Sequence, residues 1–286
     1  MKVAILGTGL MGGPMALQLQ QGGFEVIAWN RSPEKLTPLQ AAGIETASTA
    51  GAAIASAPVT ITMLSDAAAI KSAVLSKPQA LAGKTILQMG TIAPAESRDI
   101  QAAVTAAGGD YLESPVLGST PQVKARTLIL MVGATPKQFE QWRSVLECFG
   151  PKPALMGPVG TAAATKLAMN QLIGSLTAAF SMSLALVQNE GLDLDKFMTI
   201  VRDSALYAPT FDKKLERMCD RNFADPNFPT KHLLKDMNLF VQAAENQDID
   251  ASVAASVAQL TQKAIDQGLA DRDYSAIYNA VNPKKS

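Results

Sequence analysis

Cysteine and histidine are scarce in these 286 residues: Cys148, Cys219 and His232 are all the chain has. Two distant cysteines cannot staple a small secreted fold, and with one histidine they form no familiar zinc-ligand spacing, so no disulfide scaffold and no metal are expected. Both thiols fit a reducing compartment, and the expected location is the cytoplasm. An excess of one charge is also lacking. Lys plus Arg and Asp plus Glu number 25 each, and no run of like charge stands out. The chain therefore has no electrostatic footprint for nucleic acid or an anionic membrane, and its expected partner is a small molecule. An unbroken apolar span is missing too. Residues 167–187 approach membrane-spanning length, but Asn170, Gln171, Ser175, Thr177, Ser181 and Ser183 interrupt them. A buried helix shared between domains or subunits fits better. Lys2 and the apolar residues after it mimic a signal peptide, but the strand-turn-helix pattern of the first 20 residues explains them better, and no cleavage is expected. Internal repeats and low-complexity segments are absent.

What the chain does have begins at once. Gly7-Thr8-Gly9-Leu10-Met11-Gly12 follows the apolar run Val3–Leu6 and precedes Met15-Ala16-Leu17-Gln18-Leu19, so a glycine turn joins a short strand to a helix. Each glycine has its own mechanical reason. The first permits the tight turn, the second lets backbone approach a pyrophosphate, and the third lets helix and strand pack closely. The helix N-terminus supplies unpaired N–H groups and a positive dipole end for phosphates. The next apolar run, 24–29, ends in Asn30-Arg31-Ser32, where a Rossmann domain meets the adenosine ribose. An NAD site usually has Asp or Glu there, whereas a 2′-phosphate needs donors and positive charge, so Arg31 between Asn30 and Ser32 points to NADP(H). Ser32-Pro33-Glu34 also reads as a helix start with Ser32 as N-cap.

At 286 residues the chain exceeds one nucleotide-binding domain of about 150 residues, and two domains are expected. Short apolar runs at 59–64 and 85–89 continue a parallel doubly wound sheet, and further strands are expected at 110–113, 128–132 and 154–156. Ligands bind beyond the carboxyl ends of such strands, which singles out Ser65-Asp66, Gly90-Thr91 and Pro115-Val116-Leu117-Gly118-Ser119. From Thr161 the strand signal gives way to helical periodicity. The expected architecture is α/β: a Rossmann domain over 1–160 and an all-α domain over 161–286, linked by a long helix of about 30 residues, roughly 45 Å. A small domain cannot bury such a helix alone, so a homodimer or homotetramer is expected.

Lys166 and Asn170 lie one turn apart on one face of that helix. A lysine among Ala, Leu and Met either snorkels at the helix start or acts as an ammonium that protonates a carbonyl oxygen as hydride arrives. Asn170 would then orient the substrate or the lysine.

With these residues in view, the chain resembles the β-hydroxyacid dehydrogenases, the family of 3-hydroxyisobutyrate dehydrogenase. Trp29-Asn30-Arg31, Met63-Leu64-Ser65-Asp66, Phe228-Pro229, Lys231-His232 and Lys235-Asp236-Met237 turn the likeness toward the glyoxylate/succinic semialdehyde reductase branch, which uses NADPH. The resemblance implies Lys166 as general acid with Asn170 beside it. It also implies a cofactor site of Gly7, Thr8, Gly9, Leu10, Met11, Gly12, Asn30, Arg31, Ser32, Leu64, Ser65, Thr91 and Lys235. The implied substrate site holds Leu117, Gly118 and Ser119 with Lys166 and Asn170, and Phe228 and Asp236 would line the closed cleft. Lys231 and Lys235 also read as a solvated helical face, and His232 as an ordinary satisfied histidine. The implied reaction is NADPH-dependent reduction of a small aldehyde or keto acid. Alternatives are oxidation of a 3-hydroxy acid, imine reduction, and a non-catalytic dinucleotide-binding scaffold. The family usually has Ser where this chain has Leu117, and Lys124-Ala125-Arg126 departs from its usual acidic residue plus Gly. Gly118 and Ser119 are expected to present backbone N–H groups and one hydroxyl in compensation.

Overall fold

In the computed structural model, which describes residues 1–284, the chain divides into two units, Met1–Lys166 and Leu167–Ser286. The first is built on a parallel sheet. Its strands β1 (Lys2–Leu6), β2 (Glu25–Trp29), β3 (Glu45–Thr46), β4 (Val59–Thr62), β5 (Thr85–Gln88) and β6 (Asp110–Glu113) run in the order 3-2-1-4-5-6. Each neighbouring pair among these six is parallel. Strands β1 and β4 are apolar or threonine-rich because helices cover both faces, leaving no solvated side to demand alternation. Beyond β6 the sheet changes character. β7 (Val116–Leu117) and β6 both pair antiparallel with β8 (Ile129–Gly133), and β9 (Ala154–Gly157) pairs parallel with β8. The two-residue strands β3 and β7 carry no periodic signal, and only their pairing defines them.

The helices of this unit are α1 (Gly12–Gln21), α2 (Thr37–Ala41), α3 (Ala50–Ser56), α4 (Ala67–Val74), α5 (Pro94–Ala106), α6 (Thr120–Ala125) and α7 (Pro136–Leu146). Two apolar layers flank the sheet. One packs Val3, Ile5, Met15, Leu19, Ile61 and Phe149 together, and the other Ala4, Leu6, Ile54, Ile70, Ile86 and Tyr111. Helix α6 ends on Arg126 at φ +56°, a left-handed conformation that glycine adopts more easily. Its guanidinium donates to Gln18 Oε1 at 2.7 Å, anchoring the loop to α1.

The helix α8 (Thr161–Asn189) is 29 residues long, in line with the expected span, and both units share it. Length and hydropathy alone would suit a membrane crossing, but 44% of its most apolar window is buried. Helices α9 (Leu194–Asp203), α10 (Pro209–Cys219), α11 (Thr230–Glu245), α12 (Ser252–Ala264) and α13 (Ile277–Val281) complete the second unit. Phe180 and Leu184 pack with Met198, Phe211 and Met218, and Ala178 packs with Leu233, Met237 and Val257. A Cβ on Gly174 would come within 2.7 Å of Met237 Sδ, so this glycine lets α8 and α11 approach closely. Lys214 and Asp273 form a buried ion pair with Nζ–Oδ1 and Nζ–Oδ2 distances of 2.8 and 2.9 Å. Burial holds the Lys214 ammonium below the usual lysine range, while Asp273 pulls it the other way. Ser275 completes the arrangement by donating its N–H and hydroxyl to Asp273 Oδ1. Removing one partner of such a pair leaves an uncompensated buried charge, which is far more costly than never having had the pair.

Candidate functional site

The order of strands reverses between β1 and β4, and at such a switch point an open parallel sheet offers a crevice beyond the strands' carboxyl ends. The glycine turn occupies it. Gly7 sits at φ +95°, and a Cβ there would meet Met63 O at 2.3 Å, so both conformation and space demand glycine. A Cβ on Gly12 would fall 1.9 Å from Gly7 O, so α1 can leave the turn this closely only without a side chain. Gly9 differs. It is exposed, and a Cβ there would touch nothing within 4 Å. The protein's own packing gives no reason for glycine at this position; close approach of a ligand phosphate to the backbone does. This is the fit expected of a dinucleotide cradle. Leu10 is 55% exposed beside it, Met11 is half-buried, and Thr8 is buried.

Asn30 braces the glycine turn. Its Oδ1 accepts from Thr8 N–H at 3.1 Å and its Nδ2 donates to Ser32 O at 2.9 Å, tying the glycine turn to the end of β2. With the amide so engaged, Asn30 shapes the site and leaves Arg31, exposed at the strand end, as the charged group facing outward. Ser32 takes the expected N-cap position and Pro33 opens the turn, but Pro33–Leu36 is 3₁₀ and the Ser32 hydroxyl makes no cap hydrogen bond. Across the crevice, Leu64 is half-buried and a Cβ on Gly7 would reach its Cδ2 at 2.9 Å. Ser65 donates to Asp66 Oδ2 at 2.7 Å, and Asp66 Oδ1 caps α4 through Ala69 N–H at 2.8 Å. A Cβ on Gly90 would meet Leu64 O at 2.8 Å, so the Gly90-Thr91 loop lies against the same segment. The glycine turn, the ends of β2 and β4, and the loop after β5 therefore converge.

Leu117 is half-buried on β7, and Gly118 follows at φ +130°. The expectation for Ser119 is revised. Its N–H and its hydroxyl both donate to Gln122 Oε1 at 2.9 Å in the cap of α6, so they are committed within the protein. The neighbouring Thr120 hydroxyl donates to Leu10 O at 3.1 Å, joining this loop to the glycine turn. Ser-x-x-Gln at 119–122 is the sequence pattern of a capping box, but which Ser119 donors it spends is set by the folded geometry.

Lys166 is buried in the second turn of α8. In the second unit, Asn170 is 1% exposed and donates Nδ2 to Asp236 Oδ2 at 2.6 Å. Lys235 Nζ lies 3.0 Å from Asp236 Oδ1. Asn170, Lys235 and Asp236 thus form one hydrogen-bonded and ion-paired group, with Lys235 half-buried rather than on a fully solvated face. Lys231 is exposed and pairs with Asp271. Phe228 packs edge-on against Tyr274, ring centroids 5.6 Å apart, and against His232 at 6.3 Å. Among the described residues no group of three or more His, Cys, Asp or Glu side chains is arranged to hold a metal.

A switch-point glycine cradle on a 3-2-1-4-5-6 sheet, followed by an all-helical unit, defines a nicotinamide-dinucleotide-binding class of two-domain proteins. Two family models divide the chain accordingly: the NAD binding domain of 6-phosphogluconate dehydrogenase matches residues 2–157, and the NAD-binding domain of NADP-dependent 3-hydroxyisobutyrate dehydrogenase matches residues 160–281. Glyoxylate/succinic semialdehyde reductase 1 of Arabidopsis thaliana is 33% identical over 285 residues, covering 98% of both chains. The chain belongs to the NAD(P)-dependent β-hydroxyacid dehydrogenase family. Solved structures share the fold. The 3-hydroxyisobutyrate dehydrogenase of Mycobacterium tuberculosis, solved with L-serine, superposes with a TM-score of 0.89 at 24% identity, covering 98% of each chain. Psf3 in complex with NADP+ and 2-OPP superposes with a TM-score of 0.85 at 21% identity, covering 98% of this chain and 99% of its own.

Proposed function

We propose that this protein is an NADPH-dependent reductase of short acid aldehydes or 2-oxo acids, of the succinic semialdehyde and glyoxylate type. The observation that carries the reading is a lysine, Lys166, buried on the helix that leads out of a dinucleotide-binding unit whose ribose end presents Arg31. The cofactor, when bound, supplies a hydride to the carbonyl carbon. The glycine turn and the N-terminus of α1 hold its phosphates, and Arg31 pairs with the 2′-phosphate. Lys166 Nζ gives a proton to the carbonyl oxygen as it becomes an alcohol, which avoids an alkoxide and accounts for a charged side chain at a buried position. Asp236, fixed by Asn170 and Lys235, orders a polar cluster of the second unit, and Phe228, packed on Tyr274 and His232, supplies apolar lining. Leu117 makes the pocket more apolar than a serine would, and the missing hydrogen bond of about 1–3 kcal/mol shifts preference among substrates rather than altering the chemistry.

Initial rates of NADPH and NADH oxidation with succinic semialdehyde, glyoxylate and longer aldehydes test this directly. Fast, NADPH-selective turnover of a short acid aldehyde is the expected result. A higher specificity constant for oxidation of a 3-hydroxy acid would replace it with a dehydrogenase acting in the other direction. Dinucleotide binding without turnover of any carbonyl would leave a non-catalytic scaffold.

The partner we assign to α8 is a second copy of the chain, in a homodimer or homotetramer. Leu172, Leu176, Met182 and Leu186 are 50, 37, 54 and 64% exposed, and helical spacing places them along one face. Sedimentation equilibrium is expected to give a multiple of the 30.1 kDa chain mass, falling to the monomer in a Leu176→Glu/Leu186→Glu double variant. A monomeric native protein would dismiss this assignment.

A further inference from the structure

Glu113 is the last residue of β6 and is 1% exposed. A carboxylate so deeply buried survives only where its oxygens are paired. Here Oε1 accepts from the backbone N–H of Gly160 at 2.8 Å and of Ala163 at 3.0 Å, the groups that begin α8. Oε2 accepts a short hydrogen bond from the Ser97 hydroxyl, whose oxygen lies 2.8 Å from Tyr111 Oη. Burial pushes the Tyr111 phenol well above its usual range, so it stays a neutral partner.

An ordinary helix cap comes from the residue next to the helix. The residue before α8 is Gly160, which has no side chain, and the acceptor arrives from a sheet strand 47 positions earlier. The surroundings are shaped to admit it. A Cβ on Gly133 would lie 2.5 Å from Glu113 Oε1, so β8 carries glycine where the carboxylate needs room. Gly160 enters the helix at φ +100°, and a Cβ there would lie 2.1 Å from Arg98 Nη1 on α5. The axial position and rotation of the first turn of α8 are therefore referenced to the sheet through one carboxylate. The positive end of the helix dipole also favours a negative charge at this place. Lys166 is three residues beyond Ala163, and helical side chains lean toward the N-terminus, back over that same turn.

We propose that Glu113 is a positioning residue for Lys166: by clamping the Gly160 and Ala163 amides it sets where the lysine presents its ammonium. The inference rests on the reading of Lys166 as proton donor. It predicts that Glu113 acts on turnover through the lysine and not through cofactor affinity.

The test is a double-mutant cycle on the full chain with NADPH and succinic semialdehyde, comparing native protein, Glu113→Gln, Lys166→Ala and the double variant. Glu113→Gln keeps the shape and one acceptor oxygen but removes the charge. It is expected to lower kcat about ten-fold while KM for NADPH stays within about two-fold, since small misplacement of a reacting group costs rate rather than ground-state binding. In the Lys166→Ala background the same change is expected to cost less than about two-fold, because residues that act as one unit are non-additive. Hydrogen exchange should accelerate at the Gly160 and Ala163 amides ahead of the rest of the unit. Ser97→Ala, which releases Oε2 but keeps the charge, is expected to give the same pattern at about three-fold, and it carries the test if Glu113→Gln does not fold. Equal losses in both backgrounds, or an unchanged kcat with Lys166→Ala severely impaired, would overturn the role of Glu113. Near-native turnover in Lys166→Ala alone would instead overturn the proton-donor reading, and this inference with it.

Discussion

Lys166→Ala is expected to lower turnover about 10²–10⁴-fold with the fold retained, the range that loss of one positioned general acid produces. At about 1.36 kcal/mol per decade this is roughly 3–5 kcal/mol of transition-state stabilisation. The fold is expected to survive because Ala is the most favourable helix residue and position 166 lies inside the continuous helix α8. The signature is a fall in kcat and in kcat/KM together, with KM for NADPH little changed, since the proton is needed in the transition state and not for cofactor binding. Steady-state kinetics alongside circular dichroism check both halves. Near-normal turnover in a well-folded variant would show that the lysine only snorkels.

Arg31→Glu is the second large effect, and it falls on the cofactor and not on the chemistry. The variant is expected to reverse the preference from NADPH to NADH, changing the ratio of their kcat/KM values by ten-fold or more. A charge-assisted contact to the 2′-phosphate is worth about 1.5–3 kcal/mol. The introduced carboxylate repels the phosphate and accepts from the ribose hydroxyls of NADH. The structure sharpens why Arg31 is the residue to change. Its neighbour Asn30 has its amide tied to Thr8 and Ser32, so altering Asn30 would disturb the glycine turn and confound the reading. Arg31 is exposed, and its replacement leaves the core untouched. Dissociation constants for NADPH and NADH by fluorescence titration, with the kinetic ratio, decide the matter. An unchanged ratio would mean that the phosphate is recognised elsewhere.

Much of the architecture was legible along the chain. The strands expected at 110–113 and 154–156 and the long helix from Thr161 follow from hydrophobic runs and periodicity, and the structure has them at Asp110–Glu113, Ala154–Gly157 and Thr161–Asn189. These are local signals, written in residues that are neighbours in sequence. The two-residue strands β3 and β7 were not legible, because two residues have no period. Ser32 illustrates a local signal that misleads: its position ahead of Pro33 is right for a cap, but the turn that forms is 3₁₀ and the hydroxyl takes no part.

The site divides along the same line. Residue type and spacing by themselves determined the glycine cradle, the basic residue at the end of β2 and the lysine on the long helix, because a tight turn, a phosphate-facing strand end and a charge on an apolar helix each leave a mark within a few residues. Only the tertiary structure decided that Asn30 braces the turn, that Ser119 is consumed by Gln122, that Asn170 and Lys235 converge on Asp236, and that Glu113 begins α8. The pairs Thr8–Asn30, Asn170–Asp236 and Glu113–Gly160 join residues 22, 66 and 47 positions apart. A side chain's partner at that distance is chosen by how sheet and helices pack, since buried polar groups must find acceptors wherever the fold delivers them. Ser119 has its partner only three residues away, but which of its donors are spent depends on geometry that a sequence pattern does not specify.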